Sequence, residues 1–210
     1  MTRQRKPSGR RLPDKGRKVG KRRVRSRPLR QRFLIVCEGK KTEPNYFHEF
    51  RVSIEVKVVG TGKDTLDVVK HAERLRGEEE RQGRSYDQCW VVFDLDEFAA
   101  NKFNGAIQRA RNQGIQPAYS NPAFELWFLL HFENRLVPIS RQECHRRLDK
   151  YLGQYEKTRL GMRLLLEASE EMAIDRAERL CDSYQPHNPA RDNPCTTVYQ
   201  LVKELRKQSV

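Results

Sequence analysis

Residues 89–98 read CWVVFDLDEF, with four apolar residues placed directly before a cluster of acids. The apolar run is short and consists of valine and aromatic side chains, which is typical of a buried β-strand. Asp94 and Asp96 follow it, with a further acid at Glu97. Side chains at positions i and i+2 of an extended chain point to the same side. The stretch therefore predicts a buried strand that presents two carboxylates together at its carboxyl end.

The sequence around this stretch alternates between strand and helix patterns. The predicted strands are residues 33–37, 54–59, 89–93 and 115–119; the first predicted helix begins near Thr42, and the others are residues 65–82, 102–113 and 122–133. This alternation is typical of an α/β domain with a mainly parallel sheet, here four-stranded and flanked by helices. Helical patterns follow at residues 140–151, 158–184 and 195–207. We therefore predict an α/β domain at residues 33–135 and a helical C-terminal portion at residues 136–210 that packs on it.

The net charge of the 210-residue chain, +14, is carried entirely by its first 32 residues. Residues 1–32 contain 15 Lys and Arg and one acid, whereas residues 33–210 contain 27 basic and 27 acidic residues. The segment has no apolar period, so we predict a disordered basic tail. Its arginines, among them Arg22, Arg23 and Arg25, are predicted to bind the phosphate backbone of nucleic acid. The alternative is that the tail only aids solubility or contacts ribosomes and RNA incidentally.

The composition also bears on compartment. Five cysteines without a C-x-x-C pair predict reduced thiols and no zinc site. No apolar run reaches the ~20 residues of a membrane span, and no secretory signal pattern is present. These features predict a cytoplasmic protein without a membrane partner and leave its oligomeric state open.

A third predicted site acid lies far from the first two in sequence. Glu38 follows the first predicted strand, in the turn EGKKTE. If strands one and three are neighbours in a parallel sheet, their carboxyl ends meet at the edge where open α/β folds bind ligands. Glu38, Asp94 and Asp96 would then converge, and a divalent cation would relieve the repulsion between them. Oxygen ligands of this kind favour Mg²⁺ or Mn²⁺. The alternative is that Asp94 only caps a turn or helix.

The motifs FLIVCEGKKTEPNYF and VVFDLDEF, in this order, resemble the Toprim domain of topoisomerases, primases and OLD-type nucleases. Together with NPAFELWFLLHFE and NPCTTVYQLV, they resemble the RloB-like family over roughly residues 30–205. The resemblance implies metal-dependent phosphodiester chemistry, a link with restriction and abortive phage-defence loci, and an ATPase partner subunit. The first motif departs from the Toprim pattern because its next acid is Glu43, and Phe98 stands where topoisomerases often carry a third acid. The number of metal ions therefore stays open.

Residue chemistry and the resemblance together suggest roles for the acids and lysines. Asp94 and Asp96 are predicted to hold the metal, and Glu38 either completes its coordination or acts as a general base. Lys40 and Lys41 are predicted to contact nucleic acid, with Lys40 neutralising developing phosphate charge. The equally weighted alternative for both lysines is a solvated turn.

Two polar residues stand out in the apolar helix that contains FELWFLLHF. Glu125 is predicted either to cap the first turn of its own helix or to face the site, and the resemblance favours the site. His131 is predicted to be a packed or capping histidine, with a catalytic role as the alternative. The other histidines, among them His145, have no evident partner in the sequence.

These features predict a Mg²⁺-dependent, Toprim-type endonuclease that acts on RNA or DNA as an effector of phage defence. The alternative is a non-catalytic subunit that binds nucleic acid or an ATPase partner. The sequence does not distinguish tRNA, other RNA and DNA as the substrate.

Overall fold

A computed structural model describes residues 31–62, 64–95 and 100–209 of the protein. Within these residues the central element is a five-stranded sheet. Its strands are β1 (Arg32–Cys37), β2 (Glu55–Gly60), β3 (Gln88–Asp94), β4 (Gln116–Asn121) and β5 (Cys195–Thr196). They are arranged in the order β2-β1-β3-β4-β5, with the first four parallel and β5 antiparallel to β4.

The predicted mainly parallel α/β sheet is confirmed, all four predicted strands are present, and the sheet contains a fifth strand. The fifth strand has two residues and lies at the start of a segment that was predicted to be helical, residues 195–207. Two residues are too few to show the period of a strand. Contacts with residues remote in sequence define β5 instead. Thr196 lies opposite Ser120 of β4, and the hydroxyl groups of these two residues form a 2.9 Å hydrogen bond. Arg32, which the sequence analysis placed in the basic tail, belongs to β1.

The described residues also form eight α-helices. These are α1 (Thr42–His48), α2 (Thr65–Arg81), α3 (Ala100–Asn112), α4 (Glu125–Leu130), α5 (Arg141–Leu152), α6 (Met162–Leu166), α7 (Glu170–Asp182) and α8 (Val198–Arg206). Asp64 and Ser140 cap α2 and α5, because their side chains accept hydrogen bonds from backbone N–H groups of the first turn. The single helix predicted at residues 158–184 is divided into α6 and α7 by a 3₁₀ turn, Glu167–Ser169.

Two hydrophobic clusters cover the two faces of the sheet. Alternate side chains of β1 divide between them, with Phe33 and Ile35 in one cluster and Leu34 and Val36 in the other. The first cluster contains side chains of α1, α4, α5, α6, α7 and α8, and the second contains side chains of α2 and α3. Every side chain of α4 is buried, as its apolar sequence predicted. The first cluster includes residues from both the α/β domain and the C-terminal portion, so the two parts share a core.

The chain leaves β1 and β3 in opposite directions. β1 connects through α1 to β2 on one side, and β3 connects through α3 to β4 on the other side. The helices α1 and α3 also lie on opposite faces of the sheet. Such a topological switch point opens a crevice at the carboxyl ends of the strands. The strands β1 and β3 are neighbours, which is the condition that the sequence analysis set, and the fold brings Glu38 and Asp94 to this crevice.

Two further predictions concern thiols and membranes. All five cysteines are free thiols, and four of them are buried. Within the described part of the chain, we find no helix with the length and apolar character needed to span a bilayer. A cytoplasmic location stays a prediction.

Candidate functional site

A cavity of about 360 Å³ opens at the carboxyl ends of β1 and β3. It brings four acids together with two cations. The acids are Glu38, Glu43, Asp94 and Glu125, and the cations are Arg141 and Lys157. All four acids come from residues 33–135, whereas both cations come from the C-terminal portion. The cavity with this charge arrangement therefore exists only when the two parts pack together.

Asp94, the last residue of β3, is an acid of the cavity with a buried oxygen that lacks a hydrogen-bond partner in the described part of the chain. The residue is 8% exposed, and its Oδ1 is buried without a hydrogen-bond partner among the described residues. Its Oδ2 lies 3.6 Å from the Arg141 guanidinium. Burial raises the pKa of Asp94 well above its ordinary value, and the charges of Glu43 and Glu125 raise it further. An ionised Asp94 therefore requires more positive charge than Arg141 supplies.

Glu38 lies beside Asp94 at the sheet edge but contacts its backbone. One carboxylate oxygen of Glu38 accepts a hydrogen bond from the Asp94 N–H at 3.0 Å. The other accepts from the Thr65 hydroxyl at 3.3 Å, at the start of α2. Side chains alternate along each strand, so Glu38 points to the face of the sheet that α2 covers. By the same alternation, Asp94 points to the face that α4 covers. The two carboxylates consequently enter the cavity from opposite sides of the sheet edge.

Glu43 is a site acid that the sequence analysis noted only as a departure from the Toprim pattern. It lies in the first turn of α1 and is 6% exposed. Burial raises the pKa of Glu43, and the charge of Glu125 adds to this effect. The carboxylate packs against Gly39, where a Cβ atom would lie 2.1 Å from Glu43 Oε2. A side chain at position 39 would therefore force the Glu43 carboxylate to move from its present position.

Glu125, the first residue of α4, faces the cavity and is 3% exposed. Its Oε1 accepts a 3.1 Å hydrogen bond from His145 Nε2, and Lys157 Nζ and Tyr155 Oη lie 3.8 Å and 3.4 Å away. Burial on its own would raise the pKa of Glu125. The pKa of Glu125 is nevertheless below its ordinary value. Hydrogen bonds from His145 and from the backbone N–H of Glu125 lower it, and the charge of Lys157 lowers it further. Glu125 is therefore held as a carboxylate that lines the cavity, which is one of its two predicted positions.

The cations that line the cavity are not the predicted lysines. Lys40 and Lys41 are exposed, and the side chain of Lys40 lies along Gly62. Arg141 and Lys157 line the cavity instead. Both are isolated in sequence from the acidic motifs, and they occur in a region rich in Lys and Arg. The cap at Ser140 marks the start of α5, but nothing local to Arg141 or Lys157 indicates a site.

Several predicted site residues lie outside the described part of the chain, namely Asp96, Arg22, Arg23 and Arg25. Among the described residues, no group of three or more His, Cys, Asp and Glu side chains has an arrangement that holds a metal ion. The chemistry of the described donors nevertheless fits a hard cation, which takes carboxylate oxygens. The partnerless, buried Oδ1 of Asp94 is the atom that such an ion would satisfy.

His131 lies just beyond the last residue of α4, away from the cavity. Its Nδ1 is 2.9 Å from the carbonyl oxygen of Trp127, and its ring packs edge-on against the Trp127 ring. Burial lowers the pKa of His131 to about 4, so it is neutral at physiological pH. These contacts agree with the packed histidine that was one of the two predictions.

A larger cavity of about 650 Å³ lies at the opposite edge, near the amino ends of β3 and β4. Its acids already have partners. Asp87 accepts from the Arg32 N–H, Glu178 pairs with Lys203, and Glu204 pairs with Lys207. The smaller cavity at the carboxyl ends, with its partnerless Asp94 oxygen, is therefore the better candidate for chemistry.

A family model described as RloB-like protein matches residues 33–205. The chain belongs to the RloB-like family. The match includes every described acid of the cavity and both cations, and it confirms the resemblance drawn from the sequence motifs. No curated protein and no solved structure matches this RloB-like chain. The Toprim-type chemistry of its acids stays a prediction.

Proposed function

We propose that this RloB-like protein is a metal-dependent endonuclease of the Toprim type that cleaves phosphodiester bonds in RNA or DNA. The observation that carries the proposal is the buried Asp94, whose Oδ1 lacks a partner in a cavity shared with Glu43 and Glu125. A cluster of this kind is electrostatically unfavourable unless it binds a cation. Arg141 and Lys157, which line the same cavity beside Asp94 and Glu125, add the positive charge that a phosphate requires.

In this proposal Asp94 and Glu38, together with Asp96, hold Mg²⁺ or Mn²⁺. The ion, when bound, polarises the phosphate and lowers the pKa of a bound water. Arg141 binds a non-bridging phosphate oxygen, and Lys157 adds a second positive charge. Thr65 and the Asp94 N–H fix the Glu38 carboxylate, so that it is oriented either as a ligand or as a general base.

The competing proposal is a non-catalytic subunit that binds nucleic acid or an ATPase partner. The acids of the cavity favour the enzyme, because a binding surface for phosphate gains nothing from four carboxylates. The decisive experiment incubates the purified protein with tRNA, other RNA and plasmid DNA, with Mg²⁺ or Mn²⁺ and with EDTA. Divalent-dependent cleavage supports the enzyme, and binding without cleavage in every metal supports the alternative. The role in phage defence rests on the family resemblance.

Replacing Arg141 with glutamine is expected to weaken nucleic-acid binding. A charge-assisted bond to phosphate contributes about 1.5–3 kcal/mol, so the dissociation constant should rise on the order of tenfold. Arg159→Gln is the matched control, because Arg159 is exposed and does not line the cavity. Fluorescence anisotropy with labelled RNA and DNA measures both variants. Equal affinities for the two variants would remove Arg141 from the phosphate site.

Deleting residues 1–30 is expected to weaken binding and to make it less dependent on salt. The deletion removes 14 Lys and Arg and one acid but retains Arg32, which pairs with Glu55 and Glu79 at the start of β1. Each phosphate contact that is lost should reduce the slope of log K against log salt by about 0.9. Binding measured over a salt series tests this, with circular dichroism to confirm the fold. An unchanged slope would show that the tail does not contact the backbone.

A further inference from the structure

His145 occupies a fixed position beside the cavity. It lies on α5, and its Nε2 is 3.1 Å from Oε1 of the buried Glu125. The His145 ring also packs against the Tyr155 ring, with centroids 5.1 Å apart, and Tyr155 Oη donates to the same carboxylate oxygen. The His145 side chain keeps 29% of its surface exposed. The imidazole is thus held firmly on one side and open to solvent on the other.

The hydrogen bond to Glu125 determines which nitrogen can exchange a proton. An ionised carboxylate only accepts hydrogen bonds, so Nε2 carries the hydrogen. Nδ1 is then the nitrogen that gains and loses a proton.

The helix α5 places His145 next to the phosphate-binding side of the cavity. Arg141 and His145 are four residues apart, so they share one face of α5 with Cβ atoms about 5–6 Å apart. Arg141 reaches Asp94, and Glu125 itself lines the cavity. A phosphate bound at Arg141 would therefore have the His145 imidazole one helical turn away. The titratable and charged groups around the His145–Glu125 pair include Glu43 from α1, Asp94 from β3, Arg141 and Cys144 from α5, and Tyr155 and Lys157 from the segment after α5.

We propose that His145, supported by Glu125, is the general acid that protonates the leaving oxygen of the scissile phosphodiester. This inference rests on the proposed nuclease function. In the step, the bond from phosphorus to the oxygen of the attacking water forms and the bond to the leaving oxygen breaks. The leaving oxygen takes the proton from His145 Nδ1, and the proton of the attacking water is released to solvent. The neutral imidazole regains a proton from solvent before the next turnover.

A structural role for His145, in which it only balances the buried charge of Glu125, predicts a different result. Glutamine at position 145 can still donate a hydrogen bond to Glu125, but it cannot supply a proton. The leaving group of a nucleic-acid phosphodiester is a sugar alkoxide, which is a poor leaving group unless it is protonated. The p-nitrophenolate of the ester substrate leaves without protonation. The ratio of activities on the two kinds of substrate therefore separates a proton donor from a positioning residue.

The experiment compares the full-length wild type, His145→Gln and His48→Gln with Mg²⁺ or Mn²⁺. His48, exposed at the end of α1, supplies the control. The substrates are whichever of RNA and DNA the wild type cleaves, and bis(p-nitrophenyl) phosphate. His145→Gln should lose about 10²-fold on the nucleic acid and at most threefold on the ester, and the alkaline limb of its pH profile on nucleic acid should disappear.

Three results would overturn the inference, and they differ from one another. If His145→Gln cleaved both substrates at the rate of the wild type, His145 would be dispensable. Equal losses on both substrates would show a positioning or folding role. A wild type that cleaves neither substrate in either metal would reject the proposed function itself, and this inference with it.

Discussion

Asp94→Asn is expected to abolish divalent-dependent cleavage and, at the same time, to make the metal-free protein more stable at neutral pH. Metal coordination contributes several kcal/mol to phosphoryl chemistry. Since each ~1.4 kcal/mol corresponds to a factor of ten, the rate should fall on the order of 10³-fold. Asparagine has the shape of aspartate but cannot ionise, so it removes a buried charge that the carboxyls of Glu43 and Glu125 disfavour.

The stability effect has a defined pH dependence. Because the folded state raises the pKa of Asp94, the stability that this group contributes is present below its unfolded pKa and is lost as the pH rises through its folded pKa. The stability difference between Asp94→Asn and the wild type should therefore grow from acidic to neutral pH in EDTA. Taking the difference at each pH cancels the opposite contribution of His131, whose pKa is lowered.

Urea unfolding in EDTA across a pH series and cleavage assays with Mg²⁺ measure the two effects of Asp94→Asn. Asp175→Asn is the matched control, because Asp175 is exposed on α7, outside the cavity. It should leave both activity and stability unchanged within about 0.5 kcal/mol. Wild-type cleavage by Asp94→Asn would remove Asp94 from the chemistry. A loss of stability in EDTA at neutral pH would contradict the electrostatic account of the cavity.

Phe128→Ala is expected to cause the largest loss of stability, about 3–5 kcal/mol. Phe128 of α4 is 1% exposed and packs against the rings of Tyr46, Phe124 and Tyr155, with centroids 5.5 Å, 5.2 Å and 6.2 Å away. These rings join α1, α4 and the segment after α5 in one cluster. Removing the ring leaves a cavity at the junction between the α/β domain and the C-terminal portion.

The control for Phe128→Ala is Leu136→Ala, because Leu136 is 67% exposed and should change stability by no more than about 0.5 kcal/mol. Urea unfolding followed by circular dichroism and by tryptophan fluorescence measures both variants. Coincident transitions from the two probes are expected, since both parts of the chain share the first cluster. A small effect of Phe128→Ala, or separate transitions in the wild type, would show that the C-terminal portion packs independently.

The sequence predicts the sheet well where a strand is a continuous apolar run. FLIVC and CWVVF are short, buried and β-branched or aromatic, and both are strands in the structure. The sequence does not give the strand order, so the meeting of Glu38 and Asp94 could be anticipated only on the condition that these two strands are neighbours. The two-residue β5 could not be, because only its pairing with β4 makes it a strand.

The acids of the site can be predicted from the sequence, but its cations cannot. Glu38 and Asp94 follow strands, so their location is fixed by local pattern and topology. Arg141 and Lys157 reach the cavity only because α5 and the segment after it pack against α4. A long-range hydrogen bond from the Thr42 hydroxyl to the Lys157 carbonyl oxygen also holds the segment after α5 to α1. The same packing gives His145 the Glu125 partner that its own sequence neighbourhood does not reveal.

The most direct test of the central claim is the anomalous diffraction of a crystal soaked in Mn²⁺. The account predicts a single strong anomalous peak, or a close pair, at the carboxyl ends of β1 and β3, with one ion within about 2.5 Å of Asp94 Oδ1. The peak should be absent from crystals of Asp94→Asn soaked in the same way. Fully soaked wild-type crystals with no peak in this cavity, or with Mn²⁺ bound only elsewhere, would contradict the claim that these acids share a metal ion.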